Sequence, residues 1–129
     1  MNVKKVVVDT NIVISATISE YGNPAKIMDL FSDKQIILYY NDGILIEYKR
    51  VLAYEKLKIA PEKQIEILDM IKKDGICIEP VVSSILLPDE TDRIFYDTAK
   101  TAGAVLVTGN KKHYPNEPFI LTPAEFLNM

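Results

Sequence analysis

Three acidic residues occupy positions from which they could bind one metal ion together. Asp9 directly follows the valine run at residues 6–8. Glu47 lies beside Val51, on the border of the apolar stripe of one predicted helix, and Asp92 points into the stripe of another. Carboxylate oxygens are the ligands that Mg²⁺ and Mn²⁺ prefer. If the fold brings these segments together, the three acids predict a carboxylate site for such an ion.

Each acid also has a simpler explanation. Asp9 could form an Asx turn or cap the following helix, and Glu47 could be a solvated residue beside the core. A helix dipole would stabilise Asp92 in the first turn by ~0.3–1 kcal/mol, but Asp89 or Glu90 would serve equally well. The dipole therefore does not explain why Asp92 points inwards, where an uncompensated carboxylate is costly. A cation between Asp92 and other acids explains it.

Strands and helices alternate along the predicted chain. The apolar runs predict strands at residues 5–8, 35–40, 76–78, 104–108 and 118–121. Helical periodicity and capping residues predict helices at residues 11–17, 24–31, 42–53, 61–73, 90–102 and 123–128, the third of them capped by Asn41 or Asp42. This alternation is typical of an α/β layered fold with a mainly parallel sheet.

Parallel sheets of this type bind ligands beyond the carboxyl ends of their strands. Asp9 lies at one such end, and Thr108, Gly109 and Asn110 lie at another. We therefore expect the candidate site to form at this edge of the sheet.

Composition limits the other possibilities. The 129 residues are 48% hydrophobic, enough for one core, so we expect a single domain spanning residues 1–129. No segment has the length and apolarity of a membrane span or a signal peptide, which predicts a cytoplasmic protein without membrane contact. Fifteen basic and eighteen acidic residues give a net charge of −3, which neither indicates nor excludes a nucleic-acid partner.

Two further side chains have predicted locations. Cys77 is the single cysteine, so no intramolecular disulfide can form, and its isoleucine neighbours predict a buried, unreactive side chain. In the predicted helix at residues 90–102, Asp97 lies on the side opposite the apolar stripe, which predicts that it points away from the core.

Four segments together resemble the PIN-domain nucleases: DTNIVIS, ILIEYKRVL, DETDRIFYDTAKTAGAVLVTGN and FILTPAEFL. The resemblance covers most of the chain, is weakest at residues 54–80, and is greatest to bacterial toxin components of toxin–antitoxin pairs. It implies a three-layer α/β/α sandwich around a mainly parallel sheet of four or five strands. It also implies a Mg²⁺ or Mn²⁺ site of three or four acids that hydrolyses RNA phosphodiester bonds.

The resemblance assigns roles to individual residues. Asp9, Glu47 and Asp92 would be the catalytic, metal-binding acids. Many members have a fourth acid in the segment that here reads VTGNKKHYP, where this chain has Asn110 and His113. Asp89 could substitute if its loop folds inwards. The remaining supporting residues are Asn11, Thr108 and Asn110, and the expected RNA contacts are Lys111, Lys112 and His113.

Two functions follow from these expectations. The first is a metal-dependent endoribonuclease, the toxin of a toxin–antitoxin pair, with RNA as substrate, a cognate antitoxin as partner and homodimerisation expected from the resemblance. The alternative, favoured by the missing fourth acid, is a catalytically impaired PIN-like module that binds RNA or a protein. In the nuclease, Asp9→Asn should abolish activity, leave the fold intact and slightly raise stability by relieving carboxylate repulsion.

Overall fold

The computed structural model describes residues 3–129. Its strands are β1 (Lys4–Val8), β2 (Ile36–Tyr40), β3 (Ile76–Cys77), β4 (Val105–Val107) and β5 (Ile120–Leu121). Its helices are α1 (Thr10–Ile18), α2 (Asn23–Ser32), α3 (Asp42–Leu52), α4 (Pro61–Asp74), α5 (Arg93–Ala102) and α6 (Pro123–Leu127). Short 3₁₀ turns occupy Glu55–Leu57, Glu90–Asp92 and Lys111–His113. No helix in this part of the chain has the length and apolarity needed to span a membrane.

The five strands form one parallel sheet in the order β3-β2-β1-β4-β5. Strand β1 is central and pairs with β2 on one side and β4 on the other. The strand order therefore reverses between β1 and β4, and a crevice at that point is where open parallel sheets bind ligands. The residue that follows β1 lies against the last residue of β4 there, since the Asp9 N–H donates to the Val107 carbonyl at 2.9 Å.

The core lies on both faces of the sheet. Val6, Val7 and Val8 point to alternate faces of β1, and all three have 0% exposure. Helices therefore cover both faces, which confirms the α/β fold predicted from the sequence. Helix α5 contacts β1, β2 and β4, so the 3₁₀ turn that ends at Asp92, directly before α5, lies close to the end of β1.

Two predicted locations were wrong. Cys77 is exposed, because β3 is a two-residue edge strand whose residues are both exposed. Asp97 is only 2% exposed, because the segment at residues 81–85 folds over the face of α5 that was predicted to meet solvent. Its Oδ2 accepts a hydrogen bond from the Ser83 N–H at 3.1 Å.

The start of α5 also differs from the prediction. The α-helix begins at Arg93, and Glu90–Asp92 forms a 3₁₀ turn before it. Asp89 caps this turn, because its Oδ1 accepts hydrogen bonds from the N–H and the hydroxyl of Thr91 at 3.0 and 2.8 Å. Capping by Asp89 leaves the Asp92 carboxylate free to point towards the sheet.

Candidate functional site

Asp9 lies at the carboxyl end of β1 and at the start of α1, with 6% of its surface exposed. Its Oδ1 accepts a hydrogen bond from the Thr10 N–H at 2.7 Å. Its Oδ2 accepts two more, from the Thr108 hydroxyl at 2.8 Å and the Tyr114 hydroxyl at 3.1 Å. Asp9 therefore caps α1, as its simpler explanation proposed, and is also fixed in orientation by donors from two other segments.

Two buried tyrosine hydroxyls surround the end of β1. The Tyr48 hydroxyl donates to the Val8 carbonyl at 2.6 Å and so fixes α3 against the strand. Burial, and secondarily the charge of Asp9, raises the pKa of both Tyr48 and Tyr114 well above the usual tyrosine value. Both hydroxyls therefore stay protonated and act as hydrogen-bond donors. Sequence reasoning missed Tyr114, because nothing in the local pattern indicates a contact with a residue 105 positions away.

Asp92 presents a carboxylate oxygen that lacks a hydrogen bond. Its side chain is 13% exposed, and its buried Oδ2 has no hydrogen-bond partner among residues 3–129. His113 Nδ1 lies 3.2 Å from this oxygen, a contact that becomes an ion pair when the imidazole is protonated. Burial first, and then the negative charge of Asp9, raises the Asp92 pKa to about 6 despite the opposing effect of His113. The two acids are thus close enough to repel each other.

Glu47 is not joined to this pair. It is half-buried, and its Oε2 accepts a hydrogen bond from Arg50 Nη2 at 2.8 Å within α3. Arg50 also contacts the Tyr54 hydroxyl and lies over the Tyr54 ring. The Glu47 side chain therefore pairs with Arg50 on its own helix instead of pointing towards the sheet as the sequence had predicted.

The donor set that remains fits a hard divalent cation held by two carboxylates. Among residues 3–129, no three His, Cys, Asp or Glu side chains lie close enough to hold one ion. Magnesium nevertheless binds commonly through one or two carboxylates, with water and substrate phosphate completing its coordination. Asp9 Oδ1 accepts one hydrogen bond and so has a lone pair left, and Asp92 Oδ2 accepts none. A cation between them would also relieve their repulsion.

The supporting residues divide into two groups. Thr108 is fully buried and belongs to the site through its bond to Asp9. Asn11 is exposed on α1, and Asp89 is exposed and engaged in capping. No hydrogen bond joins either side chain to Asp9 or Asp92, although the charge of Asp89 is near enough to contribute to the raised pKa of Asp92.

The segment after β4 places an imidazole beside Asp92 and an amide beside that imidazole. The Asn110 amide nitrogen lies 2.9 Å from His113 Nε2, and the Asn110 N–H donates to the Thr108 hydroxyl at 3.0 Å. Lys111 forms an ion pair with a glutamate of α6 at 3.1 Å. Lys112 is exposed. Of the three residues expected to contact RNA, His113 is the one that touches the candidate site.

Tyr114→Phe tests whether the hydroxyl stabilises the arrangement around Asp9. Removal of the hydroxyl leaves Asp9 Oδ2 with one donor of two, so the free energy of unfolding should fall by about 1 kcal/mol. Urea unfolding of the purified protein measures this loss. The control is Tyr21→Phe, because Tyr21 is 79% exposed and should be neutral. Equal stability of the two variants would show that the Tyr114 hydroxyl does not support Asp9.

Comparisons with known proteins agree with the sequence resemblance. The model of the PIN domain family matches residues 5–112. An uncharacterized protein of Methanocaldococcus jannaschii is 34% identical over 110 residues, which cover 83% of this chain and 71% of the relative. The family match includes most of β1, all of α3, the turn that ends at Asp92, strand β4 and Thr108 after it.

Proposed function

The chain belongs to the PIN-domain family, and from that premise we propose that it is a metal-dependent endoribonuclease that hydrolyses RNA phosphodiester bonds. Its nuclease-like fold follows from the family. The observation that carries the finer proposal is the pair of carboxylates at the reversal of strand order, Asp9 with a lone pair to spare and Asp92 with a buried oxygen that has no hydrogen bond. Such a pair is stable when a cation lies between its members.

Asp9 Oδ1 and Asp92 Oδ2 are the atoms that would hold Mg²⁺ or Mn²⁺. The bound ion would supply positive charge for the phosphate oxygens and make a water molecule a better nucleophile. Thr108 and Tyr114 fix the orientation of Asp9 through their hydroxyl hydrogen bonds. Because preorganised ligands need little reorganisation during the reaction, these two hydroxyls contribute to catalysis without touching the substrate.

Glu47 has a conditional role in this proposal. It can serve as the third acid only if its carboxylate leaves Arg50, an exposed partner whose ion pair contributes little stability. His113, close to Asp92 and partly exposed, and the exposed Lys112 are the groups that would meet the RNA backbone. A lysine contributes there as a point charge to phosphate.

A toxin role with a cognate antitoxin, a cytoplasmic location and a homodimer completes the proposal. These parts are supported by the family resemblance of the four sequence segments, and the chain offers no membrane-spanning helix within residues 3–129. Growth arrest on expression, relieved by co-expression of a neighbouring gene product, is the result that the toxin role predicts. Unimpaired growth on expression of a protein that cleaves RNA in vitro would contradict it.

Cleavage of labelled single-stranded RNA by the purified protein tests the proposed activity. We expect internal cleavage in the presence of Mn²⁺ and none after addition of EDTA, because two carboxylates alone cannot activate water and neutralise phosphate. Cleavage that persists in EDTA, or no cleavage of several RNAs by folded wild-type protein, would contradict the proposal.

A catalytically impaired module that binds RNA or a protein is the second candidate. It is favoured by Asn110 and His113 at the positions where many family members have a fourth acid, and by the engagement of Glu47 with Arg50. With one or two acids missing, the site would bind a cation weakly and stabilise less charge in the transition state.

Asn110→Asp tests whether the missing acid limits the chemistry. We expect the variant to cleave RNA about tenfold faster with Mn²⁺, because residue 110 contacts Thr108 and His113, which contact Asp9 and Asp92, and a carboxylate there adds negative charge that strengthens cation binding. The contact with His113 can persist, since an imidazole N–H can donate to the new carboxylate. Asn116→Asp is the matched control, since it adds the same charge at an exposed position. Equal rates for the two variants would show that the fourth acid is not limiting.

A further inference from the structure

The segment at residues 80–88, PVVSSILLP, crosses the surface of α5 without belonging to a helix or a strand. Polar side chains of α5 hold it in place. The Val81 N–H donates to the Thr101 hydroxyl at 2.9 Å, and Ser83 donates to the buried Asp97. Arg93 donates to the Ser83 carbonyl at 2.9 Å and to the Ile85 carbonyl at 2.5 Å. The segment is therefore fixed in shape although it has no strand neighbour.

These hydrogen bonds use alternate residues only. The side chains of Ser83, Ile85 and Leu87 are partly buried, whereas those of residues 82, 84 and 86 are exposed. This period of two is typical of extended backbone. Within the described part of the chain, the backbone N–H and C=O groups of residues 82, 84 and 86 make no hydrogen bond. The segment thus has one edge engaged with α5 and a second edge that is unpaired.

The unpaired edge is also apolar. Val81 is 74% exposed, Val82 is 75% exposed and Leu86 is 94% exposed. Natural proteins protect such edges with charges, bulges or internal prolines. Here the nine residues carry no charge, and the prolines lie only at the two ends. An ordered, uncharged and apolar edge of this kind is suited to pairing with another extended chain.

Charge identifies the kind of chain that fits. Glu79 and Asp89 flank the segment and are both exposed. The basic residue nearest in sequence, Arg93, is only 18% exposed and is engaged with Glu90 and the segment itself. If the same segment of a second copy paired with it in antiparallel orientation, with Ser84 facing Ser84, then Glu79 of each copy would lie opposite Asp89 of the other. These like charges would repel each other at both ends of the pairing. A peptide with basic residues at its ends would meet both acids favourably.

We propose that residues 81–87 form a docking edge for an extended peptide segment of a protein partner, with apolar residues in its centre and Lys or Arg at both ends. The peptide adds as a strand, pairing with the backbone groups of residues 82, 84 and 86 and packing against Val82 and Leu86. This inference is independent of the nuclease proposal, because it depends on α5, on the segment above it and on the charges of Glu79 and Asp89, and not on metal binding or RNA cleavage.

Fluorescence anisotropy with two labelled peptides tests the docking edge on the full chain. One peptide alternates valine and threonine between two Lys-Arg pairs, and the other replaces those pairs with Glu-Asp. We expect the basic-ended peptide to bind at least about tenfold more tightly than the acidic-ended one. Equal affinities, or no binding of the basic-ended peptide, would overturn the proposal.

Variants of the edge localise the binding. Ser84→Pro removes an N–H that makes no bond within residues 3–129, and Leu86→Lys places a positive charge where the side chain is already in solvent. Each should weaken binding about tenfold or more. Ser84→Ala is the matched control, because it keeps the N–H and should bind normally. Undiminished peptide binding by both test variants would overturn the proposal. A wild-type dimer that Ser84→Pro dissociates would also overturn it, because the edge would then bind a second copy of this chain.

Discussion

Asp92→Asn is expected to abolish RNA cleavage while making the metal-free protein more stable at neutral pH. The Asp92 pKa is raised from 3.8 to about 6 by burial and by the charge of Asp9. Replacement by the neutral amide removes one of two proposed ligands, so the cleavage rate should fall about a hundredfold or more. It also removes a repelled charge, so the free energy of unfolding in EDTA should rise by about 1 kcal/mol, partial exposure reducing the effect.

The stability gain has a defined pH dependence. Between about pH 4 and pH 6 the folded state binds the Asp92 proton more tightly than the unfolded chain does. The wild-type protein therefore loses stability as the pH rises through this window, and the loss is complete above it. The advantage of Asp92→Asn should be full at pH 7 and should vanish below about pH 4.

Urea unfolding in EDTA at several pH values, together with the RNA cleavage assay, measures both effects. Asp69→Asn is the matched control, because Asp69 makes only a long ion pair at 3.7 Å on exposed α4. It should change neither activity nor stability appreciably. If Asp92→Asn were less stable than the wild type at neutral pH, the ionised Asp92 carboxylate would not destabilise the metal-free protein, and the argument that it needs a bound cation would fail.

Asp9→Asn is expected to abolish cleavage as well, but with the opposite effect on stability. The Asp9 carboxylate accepts three hydrogen bonds, from the Thr10 N–H and from the Thr108 and Tyr114 hydroxyls. An asparagine has a single acceptor oxygen, so in either orientation its NH₂ group replaces one carboxylate oxygen. That NH₂ group then faces either the Thr10 N–H or the two hydroxyls. The loss of these bonds in a buried site should lower the free energy of unfolding by about 1–3 kcal/mol.

This expectation revises the one drawn from the sequence, which considered only the repulsion between carboxylates. The same urea and cleavage assays measure it, and Asp92→Asn provides the comparison, since the chemical change is identical and the hydrogen bonding differs. If Asp9→Asn were as stable as the wild type, the three hydrogen bonds would contribute nothing net. If it also cleaved RNA at the wild-type rate, Asp9 would have no place in the active site.

The position of Asp9 could be predicted because it depends on local pattern and on one rule of topology. Three valines in succession indicate a doubly covered strand, and a parallel sheet places the following residue at its ligand-binding edge. The same reasoning located Thr108, which donates to Asp9 across 99 positions of sequence. Helical periodicity predicted that the Asp92 side chain points inwards, although the turn that contains it is 3₁₀ and not α-helical.

Other features depend on contacts that local patterns do not encode. The Glu47 prediction considered the sheet and overlooked Arg50, three residues later on the same helix face. Asp97 is buried by an extended segment that belongs to no helix or strand of the fold. The hydroxyl of Tyr114 reaches Asp9 only because two distant chain segments follow adjacent strands. In each case the deciding partner was either a neighbouring charge or a residue distant in sequence.

Calorimetric titration of the metal-free protein with Mn²⁺, at a pH well above the Asp92 pKa of about 6, tests the central claim most directly. The claim is that Asp9 and Asp92 together hold a divalent cation. We expect the wild-type protein to bind Mn²⁺, Asp69→Asn to bind it equally well, and Asp92→Asn to lose at least about tenfold in affinity. Undiminished Mn²⁺ binding by folded Asp92→Asn would contradict the claim and place any metal site elsewhere on the molecule.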